Sequence, residues 1–167
     1  TRTGYLFDGW YESPDFSTVK ITEIAKGSVG DKTFYAKWSP TSYSINYELN
    51  GGSCNFPVTS YTVETESFNL PIPTKANYTF GGWYTTSDFN SDAVTRITKG
   101  TTGDKVFYAK WIADTYSISY NLNNGVQGEG AVTSYSVETE TFSLPTPTRT
   151  GYIFAGWHET ADFSTAK

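Results

Sequence analysis

The chain has 167 residues, with 17 Asp and Glu against 12 Lys and Arg, for a net charge of −5. That acidic balance argues against nucleic acid, polyanions and anionic membrane surfaces, each of which needs a basic stripe. Length allows one or two domains, and an apolar fraction of 37% resting on 13 Tyr, 11 Phe and 5 Trp, with no Met, suits half-buried pleated surfaces and a mostly β protein.

The first phrase, GYLFDGWYESPDF at 4–16, returns as NYTFGGWYTTSDF at 77–89 and GYIFAGWHETADF at 151–163. Its YTFGGWY version reads as a strand whose glycines signal a bulge or a close backbone approach. YAKW at 35–38 ends the first stretch, and a short SPTS linker (39–42) follows. Tyr43, Ile45, Tyr47 and Leu49 then alternate with Ser44, Asn46 and Glu48, the period of an amphipathic strand with one buried face. Asn50–Gly52 supplies residues tolerant of positive φ and predicts a turn.

Tyr61 and Val63 alternate with Thr62 and Glu64, predicting a second strand that ends near Phe68 and Leu70. LPIPT (70–74) forces an extended connection, because proline fixes its own φ and restricts its predecessor. After YTFGGWY, the stretch SDFNSDAVTRIT (87–98) is the one place where a short helix fits: Ser87 or Asp88 caps it, and Phe89, Ala93 and Ile97 recur at helical spacing. KGTTGDK (99–105) is a turn, and VFYAKW (106–111) a final strand with Phe107, Ala109 and Trp111 on one face. The predicted order is β-β-β-(short α)-β, a mainly β or α+β unit.

The spacings define that unit. Trp10 to Trp83, Trp38 to Trp111 and Tyr43 to Tyr116 are each 73 residues apart; Trp83 to Trp157 and Leu70 to Leu144 are 74. The extra residue falls in the Gly- and Asn-rich stretch between Asn123 and Tyr135, where an insertion is cheap. The expected organisation is the second half of a repeat at 1–39, a complete repeat at 42–111 and the first part of another at 115–167. Both ends are out of phase with the boundary after YAKW, so the chain is expected to be a window on a longer covalent array. The absence of a visible leader peptide or an initial Met agrees with an excised segment and leaves the compartment open.

GYxFxGWY, DFS and YAKW, preceded by Y-x-I-x-Y-x-L-N-G-G, resemble the Listeria–Bacteroides repeat, also called the internalin B-repeat, over essentially the whole chain. The resemblance implies tandem β-grasp-like, ubiquitin-like units in a beaded array on secreted or wall-attached bacterial surface proteins. It implies no catalytic residues. Asn77 departs from the pattern where the other copies have Gly4 and Gly151, and His158 where they have Tyr11 and Tyr84.

Reactive chemistry finds little support in the residues themselves. His158, the sole histidine, reads as a packing or surface substitution, and no triad or phosphate loop recurs across the copies. Asp88, Asn90 and Asp92 alternate like the start of a calcium loop, but Ala93 and Lys99 stand where Gly and Glu are needed, so a helix start is the better reading. Asn77-Tyr78-Thr79 is a sequon present in one copy only. Cys54 is the only cysteine, which rules out an internal disulfide, and reads as a tolerated loop residue. No metal or cofactor is expected, and no run of 18 apolar residues spans a bilayer.

Two functions compete. The leading one is a stalk, spacer or fibre segment at the cell surface, whose partners are neighbouring repeats of the same or identical chains. The alternative is an adhesive module that takes host protein or glycan on exposed aromatics or a sheet edge. Tyr35 and Tyr108, opposite the presumed core face of FYAKW, are its candidate contact residues; strand pairing or linker packing is the plainer role for both.

Overall fold

In the computed structural model, which describes residues 1–55 and 57–164, every regular element is a β-strand. The chain divides into two compact units, residues 1–112 and 113–167.

The first unit holds the core. β1 (Tyr5–Tyr11) and β2 (Tyr35–Pro40) form an antiparallel pair. Next come β3 (Tyr43–Glu48), β4 (Ser60–Tyr61), β5 (Phe68–Asn69), β6 (Tyr78–Tyr84), β7 (Arg96–Ile97) and β8 (Lys105–Ala113). A four-stranded sheet runs β4-β3-β8-β6, with β3 and β8 parallel at its centre and β4 antiparallel to β3. β5 and β7 form a separate antiparallel pair. The alternation read in β3 puts Ile45 in the core, and the face of β8 contributes Phe107 and Ala109, joined by Tyr61, Leu70, Trp83 and Ile97. Burying that many large aromatics compensates for a small unit, since each removes ~150–250 Å² from water.

Turn chemistry fixes how the strands meet. Asn50 and Gly51 have φ of 48° and 82°, and the Gly52 N–H donates to the Leu49 carbonyl at 2.9 Å. Positive φ at both central residues is the turn whose twist matches the flanking strands. Asn123, Asn124 and Gly125 repeat it one period later.

Two predicted elements need correction. No helix forms over 87–98, so the α part of the α+β expectation falls. Phe89 has φ 58°, in the left-handed region, and the Asp88 carboxylate accepts from the Asn90 N–H at 3.2 Å. Asp88 thus closes a local turn instead of capping a helix, the competition that Asp and Ser offer backbone helices. Val94 and Ile97 are then drawn into pairing with Trp83 and Phe68. The second predicted strand is also broken. β4 stops at Tyr61 because Thr65 turns back: its N–H donates to the Thr62 carbonyl at 3.1 Å, and its hydroxyl accepts from the Thr62 N–H at 2.9 Å. Val63 therefore lies in a turn, not a strand.

The second unit, residues 113–167, has one short antiparallel pair, β9 (Tyr116–Ser117) with β10 (Ser134–Tyr135). A bridge from Val126 to Thr148 matches the one from Ser53 to Thr74. Pro145 and Pro147 are the buried residues among those described in this unit. Residues 165–167, at the end of the third expected segment, lie outside the described residues, as does Phe56.

Candidate interaction surface

One face of the β1–β2 pair is built from YAKW and DF together, with Tyr11 buried and Lys37 and Phe16 half-buried. Tyr35 and Lys37 alternate along β2 and so share a face, and Tyr11 of β1 stands opposite Tyr35. The Lys37 ammonium lies 5.3 Å from the Tyr11 ring centre and 5.8 Å from that of Phe16. Those two rings meet edge to face at 5.5 Å. The complete repeat has the same cluster, with Lys110 at 5.3 Å from Tyr84 and 5.6 Å from Phe89, and the rings 5.4 Å apart. In the third copy His158 takes the tyrosine's place and packs edge to face on Phe163 at 5.4 Å. The cation is attracted by the negative ring faces, worth ~0.5–1 kcal/mol at exposed sites. Lys37 also pairs with Asp8 at 3.4 Å, whereas Gly81 stands at that position beside Lys110. Such an exposed pair adds at most about 1 kcal/mol.

The phenylalanine of each cluster is presented by one recurring turn. Phe16, Phe89 and Phe163 have φ of 59°, 58° and 57°. Each donates its N–H three residues back, to the carbonyls of Ser13, Thr86 and Thr160. The preceding aspartate accepts from the residue after the phenylalanine, at 3.1–3.2 Å in all three copies. Asp15 and Asp162 are held down to about 2, first by the hydroxyls of Ser13 and Thr160 and then by Ser17 and Ser164. Asp88 is lowered by Thr86 and then by the Asn90 N–H. These carboxylates are spent on the turn. Among the described residues no group of three or more His, Cys, Asp or Glu is placed to hold a metal.

The opposite face explains the bulge. The β1 register slips between Phe7 and Gly9, so the Asp8 backbone is skipped in the pairing with β2. Without that slip Phe7 and Trp10, three residues apart, would point to opposite faces. With it their rings meet at 5.4 Å, as do Phe80 with Trp83 at 5.5 Å and Phe154 with Trp157 at 5.3 Å. The Trp83 indole N–H donates to the Pro71 carbonyl at 2.7 Å, and Trp157 repeats this on Pro145 at 2.8 Å. LPIPT and LPTPT are therefore docking stations for the tryptophan as well as extended connections.

Of the two candidate contact residues, Tyr35 is exposed (37%) at the start of β2, and Tyr108 is half-buried in β8 opposite Glu48 of β3. They belong to different copies and do not form one site. The Lys-on-ring clusters beside them went unread in the sequence, although Lys37 and Lys110 occupy equivalent places in both YAKW copies. His158 has a packing partner, and Cys54 is a free, half-buried thiol in the loop after the Asn50–Gly52 turn.

The Listeria–Bacteroides repeat domain model matches residues 1–37, 43–110 and 116–167. A protein named as a Gly-rich membrane protein in Evansella cellulosilytica is 35% identical over 170 residues, covering 95% of this chain and 18% of that protein. A second protein of the same organism, named as a membrane protein, is 32% identical over 95% of this chain and 23% of its own length. Internalin H of Listeria monocytogenes is 34% identical over 85 residues, half of this chain and 15% of that protein. The chain thus spans between 15% and 23% of the length of these relatives. No solved structure matches it.

Proposed function

This chain belongs to the Listeria–Bacteroides repeat domain family, and from that premise we propose that it is a non-catalytic stalk or spacer segment of a bacterial surface protein. What carries the reading is how the recurring side chains are employed. Tryptophan indoles hold proline carbonyls, lysines sit on ring faces and aspartates close turns, so the positions that return with each copy build that copy. An enzyme of repeated units would instead show reactive groups converging in each one.

The units are proposed to be 1–39, 42–111 and 115–167, each a part or the whole of a β-grasp fold. Supporting this, the first and last strands of the complete copy run parallel at the sheet centre with β4 and β6 outside, the order of a β-grasp sheet here without its helix. Relatives named as membrane proteins and as an internalin support a place outside the cell, at its surface. The partners on this reading are neighbouring repeats, in the same chain or in identical ones assembled as a filament.

The test is replacement in the parent surface protein. Exchanging these repeats for an unrelated rigid rod of equal length preserves surface display and adhesion if they act as a spacer. Loss of adhesion despite normal display overturns the reading.

The exposed Tyr35 ring beside Lys37 favours a second reading, in which the aromatic face takes a host glycan or protein. Saturable binding of the purified chain to host-cell surfaces, lost in Tyr35→Ala and Tyr108→Ala variants, would establish it.

A further inference from the structure

In the first unit, consecutive repeats meet closely where β1 begins. Gly4, just before β1, has φ +78° and lies against Val63, in the turn after β4; a Cβ on Gly4 would lie 2.1 Å from the Val63 Cγ1. The close approach is what demands glycine there, since Asn77 adopts a similar backbone conformation, φ 64°, at the equivalent place in the next copy. Beside it the Tyr5 hydroxyl donates to the Glu64 carboxylate at 2.9 Å across 59 residues of sequence. The Arg2 guanidinium lies 3.6 Å from the Tyr5 ring centre, and Lys99 pairs with Glu66, two residues on from Glu64. The Thr41 N–H ties the linker back to the Gly4 carbonyl at 2.9 Å, so the connecting segment leaves from the joint itself.

We infer that Gly4–Tyr5 of one repeat and Val63–Glu64 of the next form a fixed joint that sets the angle between them, so that the pair moves as one rigid segment. The same turn that broke the predicted second strand presents Val63 and Glu64 to the preceding copy. One period later the sequence keeps Tyr78 and Val137–Glu138 but has Asn77 in place of Gly4, so the glycine fit belongs to this joint. A fitted joint limits bending, as a spacer requires; the inference rests on the stalk reading for its purpose but not for its geometry.

The experiment places spin labels at Thr33→Cys and Glu48→Cys in the full chain with Cys54→Ser, and reads the distance distribution between them. A single narrow distribution is expected. Gly4→Ala broadens it, and adding Val63→Ala to Gly4→Ala narrows it again by removing the clashing methyls. Gly27→Ala, at φ +90° with open space around it, is the control for backbone strain alone and leaves the distribution narrow. Tyr5→Phe with Glu64→Gln, which removes this hydrogen bond with little change in shape, raises the undocked population. Slow amide exchange in β3 and β8 confirms that the complete repeat stays folded.

A broad distribution in the unmodified chain, or one equally narrow in every variant, overturns the joint. Either of those results alongside successful replacement by a foreign rod leaves the stalk reading standing. A firm joint in an array that no rod can replace overturns the stalk reading alone.

Discussion

At the scale of single residues, two hydroxyls that the sequence treats alike meet different fates. Tyr47 and Tyr120 are one period apart, yet the Tyr120 hydroxyl donates to the Val132 carbonyl at 2.8 Å while that of Tyr47 is buried with no partner among the described residues. The loops beside them differ in sequence, NGGSCNFPVTSY against NNGVQGEGAVTSY, and among the described residues only the second brings a carbonyl into reach. Burial, and then the neighbouring Cys54, pushes the Tyr47 phenol up to about 12. A raised acid favours the protonated folded state. Its contribution is complete below the ordinary phenol value of ~10 and is lost as pH rises towards about 12. Tyr47→Phe is therefore expected to gain ~1 kcal/mol by removing an unsatisfied buried hydroxyl. Urea unfolding should show the gain at neutral pH and a shallower loss of stability than the parent above pH ~10. An unchanged alkaline limb would show that Tyr47 does not govern it. The lowered aspartates work in the opposite direction. They contribute above the ordinary carboxylate value, and that contribution is lost as pH falls towards about 2.

At the scale of elements, the bulge in GWY strands decides whether the core closes. Gly82 has φ +116°, and its equivalent Gly9 has +143° at the register slip that turns Phe7 and Trp10 to one side. A Cβ at Gly82 would meet the Ala93 side chain at 3.4 Å, a tight but tolerable distance, so backbone strain dominates the cost of substitution. Gly82→Ala is expected to lose ~1–3 kcal/mol, measured by urea titration, with the summed tryptophan emission moving to the red as the Trp83 ring loses its place against Phe80. A neutral result would mean that β6 reaches its packing without the special conformation. The glycines made this bulge readable in advance. The helix over 87–98 was misread for the converse reason: Phe89, Ala93 and Ile97 keep helical spacing, but Asp88 and the hydroxyl before it claim the backbone first. That turn was also legible in principle, since Asp-Phe follows Ser or Thr by two residues in every copy.

At the scale of the whole chain, burial is unevenly shared. Trp83 is 2% exposed, while Trp10, its equivalent in the first stretch, is 47% exposed, because the strands that cover Trp83 belong to the other half of a complete copy. The second unit buries little beyond two prolines among its described residues. Local opening free energies should follow this distribution. Amide exchange is expected to be slowest in β3 and β8, where the parallel pair lies over Phe107 and Ala109, and fastest in 113–164. Equal protection across the two units would show that the second is stabilised by contacts other than its own strands.

The sequence by itself determined the period, the strand at Tyr43–Glu48, the turn at Asn50–Gly52, the bulge glycines and the family, because each is a local rule that recurs in two or three copies and repetition separates signal from accident. Only the tertiary structure decided that Val63 and Glu64 face a neighbouring copy, that Lys37 and Lys110 cap aromatic pairs, and that a proline carbonyl receives the tryptophan. Those contacts join residues 12 to 59 positions apart, and no local periodicity encodes which distant backbone a side chain will reach once the sheet has closed.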